Sequence, residues 1–271
     1  MYDLAALEAA LAGTLFAGKL HFSSVTGSTN SDALAAAREG APHGSAWFSE
    51  EQSAGRGRGG HTWHSAAGQG LYLSVLFRLP IPPNQLLLLP LAAGLAAAGA
   101  IRSVTGLSVD LRWPNDLLIG SRKTGGILVE AKIESNTPPR AVVGIGINVH
   151  QRQFDPGLAT PATSLDLVAG RTVSRQPLLI ALLNSLEREA NSLLDGRTAA
   201  DIQARIEQAS TWVRGRRVEV HGPQACTGVT RGLDAHGFLL VETAAGLVTV
   251  QTGGIRAPDQ KPGQNPDWNP R

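Results

Sequence analysis

The chain is short of the groups that most often announce a function. It has one cysteine, Cys226, in 271 residues. An internal disulfide is therefore excluded, and a reducing cytoplasm fits. Lysine occurs at only four positions, 19, 123, 132 and 261. Net charge is +2, and the pI near 9.0 reflects a slight arginine excess rather than a basic face; that balance argues against a dedicated nucleic-acid binder. The longest apolar run, Leu86 to Ile101, has 16 residues and is interrupted by Pro90, Gly94 and Gly99. It is short for a membrane span and reads as a buried helix. The N-terminus lacks a basic n-region and carries Asp3 and Glu8, so it reads as an amphipathic helix and not a signal peptide. There is no G-x-x-x-x-G-K-[ST] phosphate loop, no G-x-S-x-G elbow and no internal repeat. His61 and His64 flank Trp63, while His21, His43 and His150 are scattered. None of these has zinc-ligand spacing.

What is present is a well-patterned globular chain, 42% hydrophobic and 17% charged, long enough for one or two cores. After the first helix, "LHFSSVTGSTNSDALAAAREG" predicts strand, turn and helix, with Ser28 or Asn30 as cap and Gly40 as stop. "SAWFSEEQ", "GLYLSVLFRL", "RKTGGILVEAKIE" and "RAVVGIGINVH" read as strands, and "SVDLRWPNDLLIG" as strand, turn, strand. Apolar periodicity predicts helices near 177–194 and 199–208. From Thr211 onward, short strands separated by glycine turns predict a small all-β barrel. The class is α+β, with a mixed or mostly antiparallel sheet flanked by helices. Expected divisions are a catalytic region at 1–210, the barrel at 211–257 and a Pro/Asn/Asp-rich disordered tail at 258–271.

Four stretches carry candidate chemistry. In "EEQSAGRGRGGHTWHS", glycines would let backbone amides approach a ligand, and Arg56 and Arg58 would offer planar donors to carboxylate or phosphate. Such a stretch also suits an RNA-binding segment or a loop with no ligand. "RWPNDLLIGSRKTGGIL" displays Asp116 at a rigid turn and places Lys123 beside Gly125 and Gly126; a hairpin with a solvated lysine is the simpler reading. "GSTNSD" would serve as a helix cap in any protein, and "VGIGINV" as a packed core strand with Asn148 a satisfied amide.

In one order these stretches are specific. The series "GSTN … EEQSAGRGRGGHTW … GQGLYLS … RWPNDL … RKTGGILVE … GIGINV", closed by a small barrel, resembles the bacterial biotin protein ligases over residues 21–256. The resemblance implies a class II synthetase-like core with a C-terminal SH3-like barrel. It implies that biotin attacks the α-phosphate of ATP to give biotinyl-5′-AMP, and that a lysine of a biotin carboxyl carrier protein then takes the acyl group. It implies ATP with Mg²⁺ as a substrate complex, a cytoplasmic location, and a monomer or weak homodimer. GSTN begins at residue 27, which leaves no room for the DNA-binding domain of some relatives, so the enzyme-only form without specific DNA binding is expected.

Carried over by motif, Ser28, Thr29, Asn30 and Gln52 are expected around biotin, with Arg56, Gly57 and Gly126 close to it. Lys123 should bridge the biotin carboxylate and the α-phosphate, and Arg58 should contact phosphate. Trp63 should stack on adenine, with Asn115 and Asn148 as polar contacts, and Asp116 should hold Mg²⁺ or orient the incoming lysine. The Gly-Arg loop would then be a lid. Two departures stand out. His61 occupies a position where many relatives carry arginine, and "TGGIR" lacks an acidic residue near Gly254. Both bear on ATP binding. A lipoate-type ligase shares the two-step logic, and an Arg-Gly nucleic-acid module remains the rival of a different class.

Overall fold

The computed structural model describes residues 2–133, 139–194 and 199–258. A seven-stranded sheet forms its centre, in the order β1-β2-β3-β7-β6-β5-β4. The strands are β1 (Leu20–Thr26), β2 (Ala46–Gln52), β3 (Gly70–Arg78), β4 (Asp110–Arg112), β5 (Asp116–Ile119), β6 (Arg122–Lys132) and β7 (Arg140–Asn148). Only β1 and β2 run parallel; the crossover that a parallel pair requires is helix α2 (Thr29–Arg38). All other neighbours in this sheet pair antiparallel, so the expected mixed sheet is found. Ser28 is the residue that precedes α2, but its hydroxyl makes no capping bond, and Gly40 follows the helix end at φ 95°.

One face of the sheet is covered by α3 (Leu89–Thr105) and α5 (Arg175–Leu194). Leu73, Ile127 and Ile145 point into that core together with Ala92, Ala96, Leu179 and Leu183. The apolar run 86–101 therefore divides differently from expectation. Pro83–Leu88 form a 3₁₀ turn, and the α-helix begins at Leu89 with Pro90 in its first turn, where a missing N–H costs nothing. By length and composition Pro83–Thr105 could cross a membrane, yet Leu89, Leu91, Ala96 and Ile101 are buried inside the protein.

The opposite face is divided along its length. Ala33 and Ala37 of α2 pack on Trp47, Leu76 and Val142, forming a second, smaller core. Beyond that patch the sheet floor changes to Ser74, Gly144, Gly146 and Gly126, which are neighbours through the pairs Ser74↔Gly144 and Gly126↔Gly146. The floor is low there because side chains are missing, and it is where the candidate residues collect.

The C-terminal part is a five-stranded antiparallel sheet, ordered β11-β10-β9-β8-β12, from β8 (Arg214–His221) through β9 (Cys226–Leu233), β10 (Leu239–Thr243) and β11 (Gly246–Val250) to β12 (Gly254–Arg256). It is fastened to the larger sheet by Trp113 Nε1, which donates to the Gly237 carbonyl at 3.0 Å, and by Ser210 Oγ, which donates to the Leu111 carbonyl at 2.5 Å. Helices α4 (Leu165–Ala169) and α6 (Ala199–Ala209) complete the elements, with α1 (Leu4–Ala10) at the N-terminus. The tail expected at 258–271 lies, from 259 onward, outside the described residues.

Candidate functional site

The N-terminus of α2 stands over the glycine floor. Thr29 donates from both its amide and its hydroxyl to Gln52 Oε1, at 2.9 and 3.1 Å. Its Oγ1 lies 2.8 Å from Ser74 Oγ, which donates onward to Asn30 Oδ1 at 2.6 Å. Asn30 Nδ2 donates to Glu130 Oε2 at 2.9 Å. Gln52 closes the chain, its Nε2 donating to Ser65 Oγ at 2.8 Å. Ser28, Thr29 and Asn30 are all buried at 4% exposure. The polar wall is thus a connected network in which every amide has a fixed orientation. Gly144 makes room for it: a Cβ there would overlap Asn30 Oδ1 and lie 2.8 Å from Asn30 Cγ.

Next along the floor is Trp63. A Cβ at Gly146 would meet its Nε1 at 2.5 Å, and one at Gly126 would meet its Cζ3 at 3.5 Å. The indole therefore occupies the space that two glycines leave open. Its Nε1 is buried with no partner among the described residues, a donor left over at the centre of the site. Lys123 Nζ sits 5.6 Å from the same ring and 3.5 Å from the place where a Gly126 Cβ would be.

Lys123 and Arg112 share one carboxylate. Lys123 Nζ is 2.5 Å from Asp116 Oδ1, and Arg112 Nη2 is 2.6 Å from Asp116 Oδ2. Burial pushes the Asp116 carboxyl up, but the ammonium of Lys123 and the guanidinium of Arg112 outweigh it and hold the group below its ordinary value of 3.8. Both oxygens of Asp116 are thereby engaged by cations. Among the described residues no group of three or more His, Cys, Asp or Glu is placed to hold a metal ion. With both Asp116 oxygens paired to cations, the residues do not fit a resident ion.

The Gly-Arg loop is pinned at its base and splayed at its tip. Gln52 bridges Ser65 and Arg56 bridges Thr62; the Trp63 amide donates to the Gly55 carbonyl at 2.9 Å, and the Gly57 amide to the His61 carbonyl at 2.6 Å. The two arginines go opposite ways. Arg56 makes a bidentate pair with Glu130 of β6, at 3.2 and 2.7 Å. Arg58 reaches the small C-terminal sheet, donating to the Gly253 carbonyl at 2.5 Å and to Thr252 Oγ1 at 3.2 Å. Its partners are neutral. Burial lowers its pKa, and the field of Asp116 offsets this only in part. Arg58 is a partly buried cation without an anion among the described residues. His61 is exposed at the loop tip. Asn115 Nδ2 donates to the Ile127 carbonyl at 2.7 Å, and Asn148 Nδ2 to the Thr163 carbonyl at 3.1 Å, which places these two amides at the ends of strands beside the floor.

Sequence reasoning assigned no role to Glu130, Ser74, Arg112 or Thr252. The first three lie inside the quoted motifs "KTGGILVE", "GLYLS" and "RWPND". The signal was there, but only the fold shows which side chains they meet.

The family described as "Biotin/lipoate A/B protein ligase family" matches residues 23–148, and the one described as "Biotin protein ligase C terminal domain" matches 214–255. The chain is 36% identical over 243 residues to the "Biotin--[acetyl-CoA-carboxylase] ligase" of Mycobacterium tuberculosis, covering 85% of each. The chain belongs to the biotin protein ligase family. It is also 32% identical over 239 residues to the "Bifunctional ligase/repressor BirA" of Bacillus spizizenii, covering 87% of this chain and 73% of that relative. Among solved structures, the Aquifex aeolicus biotin protein ligase in complex with biotin and ATP superposes with a TM-score of 0.75 at 28% identity, covering 88% of this chain and 98% of the other. Within the family frame, the α2 wall, the glycine floor and the Lys123–Asp116–Arg112 cluster lie within the matched region of the ligase family, and Thr252 and Gly253 within that of the C-terminal domain.

Proposed function

We propose that this biotin protein ligase uses the glycine floor to join biotin to ATP and then to a lysine of a biotin carboxyl carrier protein. The observation that supports it most is the set of three chemistries around the glycine floor and the Gly-Arg loop. They are a neutral hydrogen-bonding wall at Thr29, Asn30 and Gln52, Lys123 over Gly126, and Arg58, a cation whose hydrogen-bond partners among the described residues are neutral. A ureido ring needs the first, a carboxylate the second, and a phosphate chain the third.

In the first step a biotin carboxylate oxygen attacks the α-phosphorus, the bond to the β-phosphate bridging oxygen breaks, and pyrophosphate leaves. Lys123 would release Asp116 and hold the two anions together, which offsets their repulsion as the bond forms. Asp116 keeps Arg112 as partner and remains charged. In the second step the carrier amine attacks the acyl carbon, the acyl–phosphate bond breaks, and AMP leaves with one proton released to solvent. Asp116, freed from Lys123, would orient that amine. Arg58 would exchange the Gly253 carbonyl for phosphate oxygens, so closure of the loop and docking of the C-terminal sheet act on the same ligand. Any Mg²⁺ would arrive on the ATP phosphates. Trp63, with its free Nε1, would move from the glycine floor to line the nucleotide, near Asn115 and Asn148. The lone cysteine fits a reaction in a reducing compartment such as the cytoplasm.

The deciding assay is biotin-dependent exchange of pyrophosphate into ATP. Exchange with biotin and none with lipoate is expected. Exchange with lipoate alone, or with neither acid, would overturn the reading.

A further inference from the structure

Among the described residues Glu130 is the one acidic side chain that touches both the loop and the wall of the site, and neither the motifs nor the reaction gives it a task. It projects from β6 opposite Val142, one sheet step beyond the glycine floor. Oε1 and Oε2 accept the two Arg56 nitrogens at 3.2 and 2.7 Å, and Oε2 also accepts Asn30 Nδ2 at 2.9 Å. Asn30 has no freedom to turn away, because its Oδ1 is taken by Ser74 Oγ at 2.6 Å. The amide orientation is therefore fixed by a hydroxyl donor on one side and a carboxylate on the other. Arg56 is the residue that ties the loop to the large sheet, while Arg58, two residues on, ties it to the small one.

We propose that Glu130 is a positioning residue that couples closure of the Gly-Arg loop to the orientation of the Asn30 amide in the biotin wall. One carboxylate serves both, so the loop is held over the site by the same group that sets the wall to accept a ligand. The pair is partly exposed, at 41% for Arg56 and 30% for Glu130, so the tether is weak enough to open for entry and release. The part concerning ligand affinity rests on the biotin reading above; the part concerning the loop does not.

The test is hydrogen exchange of the peptide covering 53–64 in the ligand-free protein, beside the biotin dissociation constant, for Glu130→Gln and Glu130→Ala. The peptide has protected amides to report on, those of Ser53, Ala54, Gly57 and Trp63. A glutamine can still accept from Asn30 but turns a donor or a neutral oxygen toward Arg56. In Glu130→Gln, loop exchange should rise about three- to five-fold, with biotin affinity within about two-fold of wild type. In Glu130→Ala, loop exchange should rise at least as much and biotin binding should weaken about five- to ten-fold. Exchange elsewhere in β6 and β7 should not change. Unaltered loop exchange in both variants would overturn the tether. Equal affinity loss in Gln and Ala, or none in Ala, would overturn the coupling to Asn30. Failure of the wild type to bind biotin would refute the biotin reading while leaving the exchange result to decide the tether.

Discussion

Gly144→Ala adds one methyl group at the point where the wall and the floor meet. Gly144 is in an extended strand with ordinary backbone angles, so alanine brings no backbone strain; the effect is steric. The new Cβ overlaps Asn30 Oδ1 and lies 2.8 Å from its Cγ and 3.1 Å from its Nδ2. Asn30 is buried and must move as a unit. It would give up the Ser74 bond at 2.6 Å and the Glu130 bond at 2.9 Å. Each such bond is worth about 1 kcal/mol net, with about 1–3 kcal/mol at stake where a buried partner is left unsatisfied. Loss of both predicts about 2–4 kcal/mol of stability and weakening of biotin binding by about 10- to 100-fold. Calorimetric titration with biotin and thermal unfolding check the two quantities. Two companions sharpen the test. Gly99→Ala, on the exposed side of α3 with nothing within 4 Å, should leave binding unchanged and stabilise by about 0.5–1 kcal/mol. Asn30→Ala removes the group that collides, so Gly144→Ala in that background should cost little more, a non-additive result. A folded Gly144→Ala protein with wild-type biotin affinity would refute the placement of Asn30 in the wall.

Lys123→Ala should lower adenylate formation by about 100-fold or more, a loss of roughly 3 kcal/mol of preorganised charge, while the protein stays folded because Arg112 still pairs Asp116; near-normal biotinyl-AMP formation in a quench assay would contradict it. Trypsin should cut after Arg56 or Arg58 more slowly when biotin and ATP are both present, as phosphates give Arg58 the anion it lacks, and Arg58→Gly should release activated biotin onto lysines of bystander proteins; equal cleavage with and without ligands, mapped by mass spectrometry, argues against a ligand-ordered loop. His43 is held below its ordinary 6.5 by burial and by Lys19 and Arg78, and its Nδ1 accepts the Arg78 amide at 3.1 Å. The unfolded chain therefore takes the proton first. Its stabilisation is complete above 6.5 and is lost as pH falls toward the folded value, so the thermal midpoint should fall through that window and fall less in His43→Gln; a midpoint that rises on acidification would reverse the sign. Asp116 contributes in the same sense at lower pH, below its ordinary 3.8.

The sequence by itself determined the local vocabulary. Short apolar runs rich in strand-forming residues, "GLYLSVLFRL" and "RAVVGIGINVH", read as strands, and the glycine-spaced stretch after Thr211 read as a small all-β unit, because residue preference and turn residues act within a few neighbours. The order of the motifs pointed to the family. Sequence could also say that Gly125, Gly126 and Lys123 belong together, since they are contiguous. It could not say that Gly126 pairs with Gly146, or that Ser74 lies beside Gly144, because register between strands distant in the chain is set by packing of the whole sheet. That register alone makes the low floor on which Trp63 and Asn30 rest. The chemistry of the residues alone did not separate Arg56 from Arg58; the family resemblance gave them different tasks, biotin and phosphate, but not their partners. They are two residues apart in a glycine-rich loop, yet one is paired with Glu130 and the other, among the described residues, meets a carbonyl and a hydroxyl of the small C-terminal sheet. Charge compensation depends on what lies within a few ångströms in space, and only the tertiary structure put a carboxylate beside the first arginine and left the second waiting for an anion.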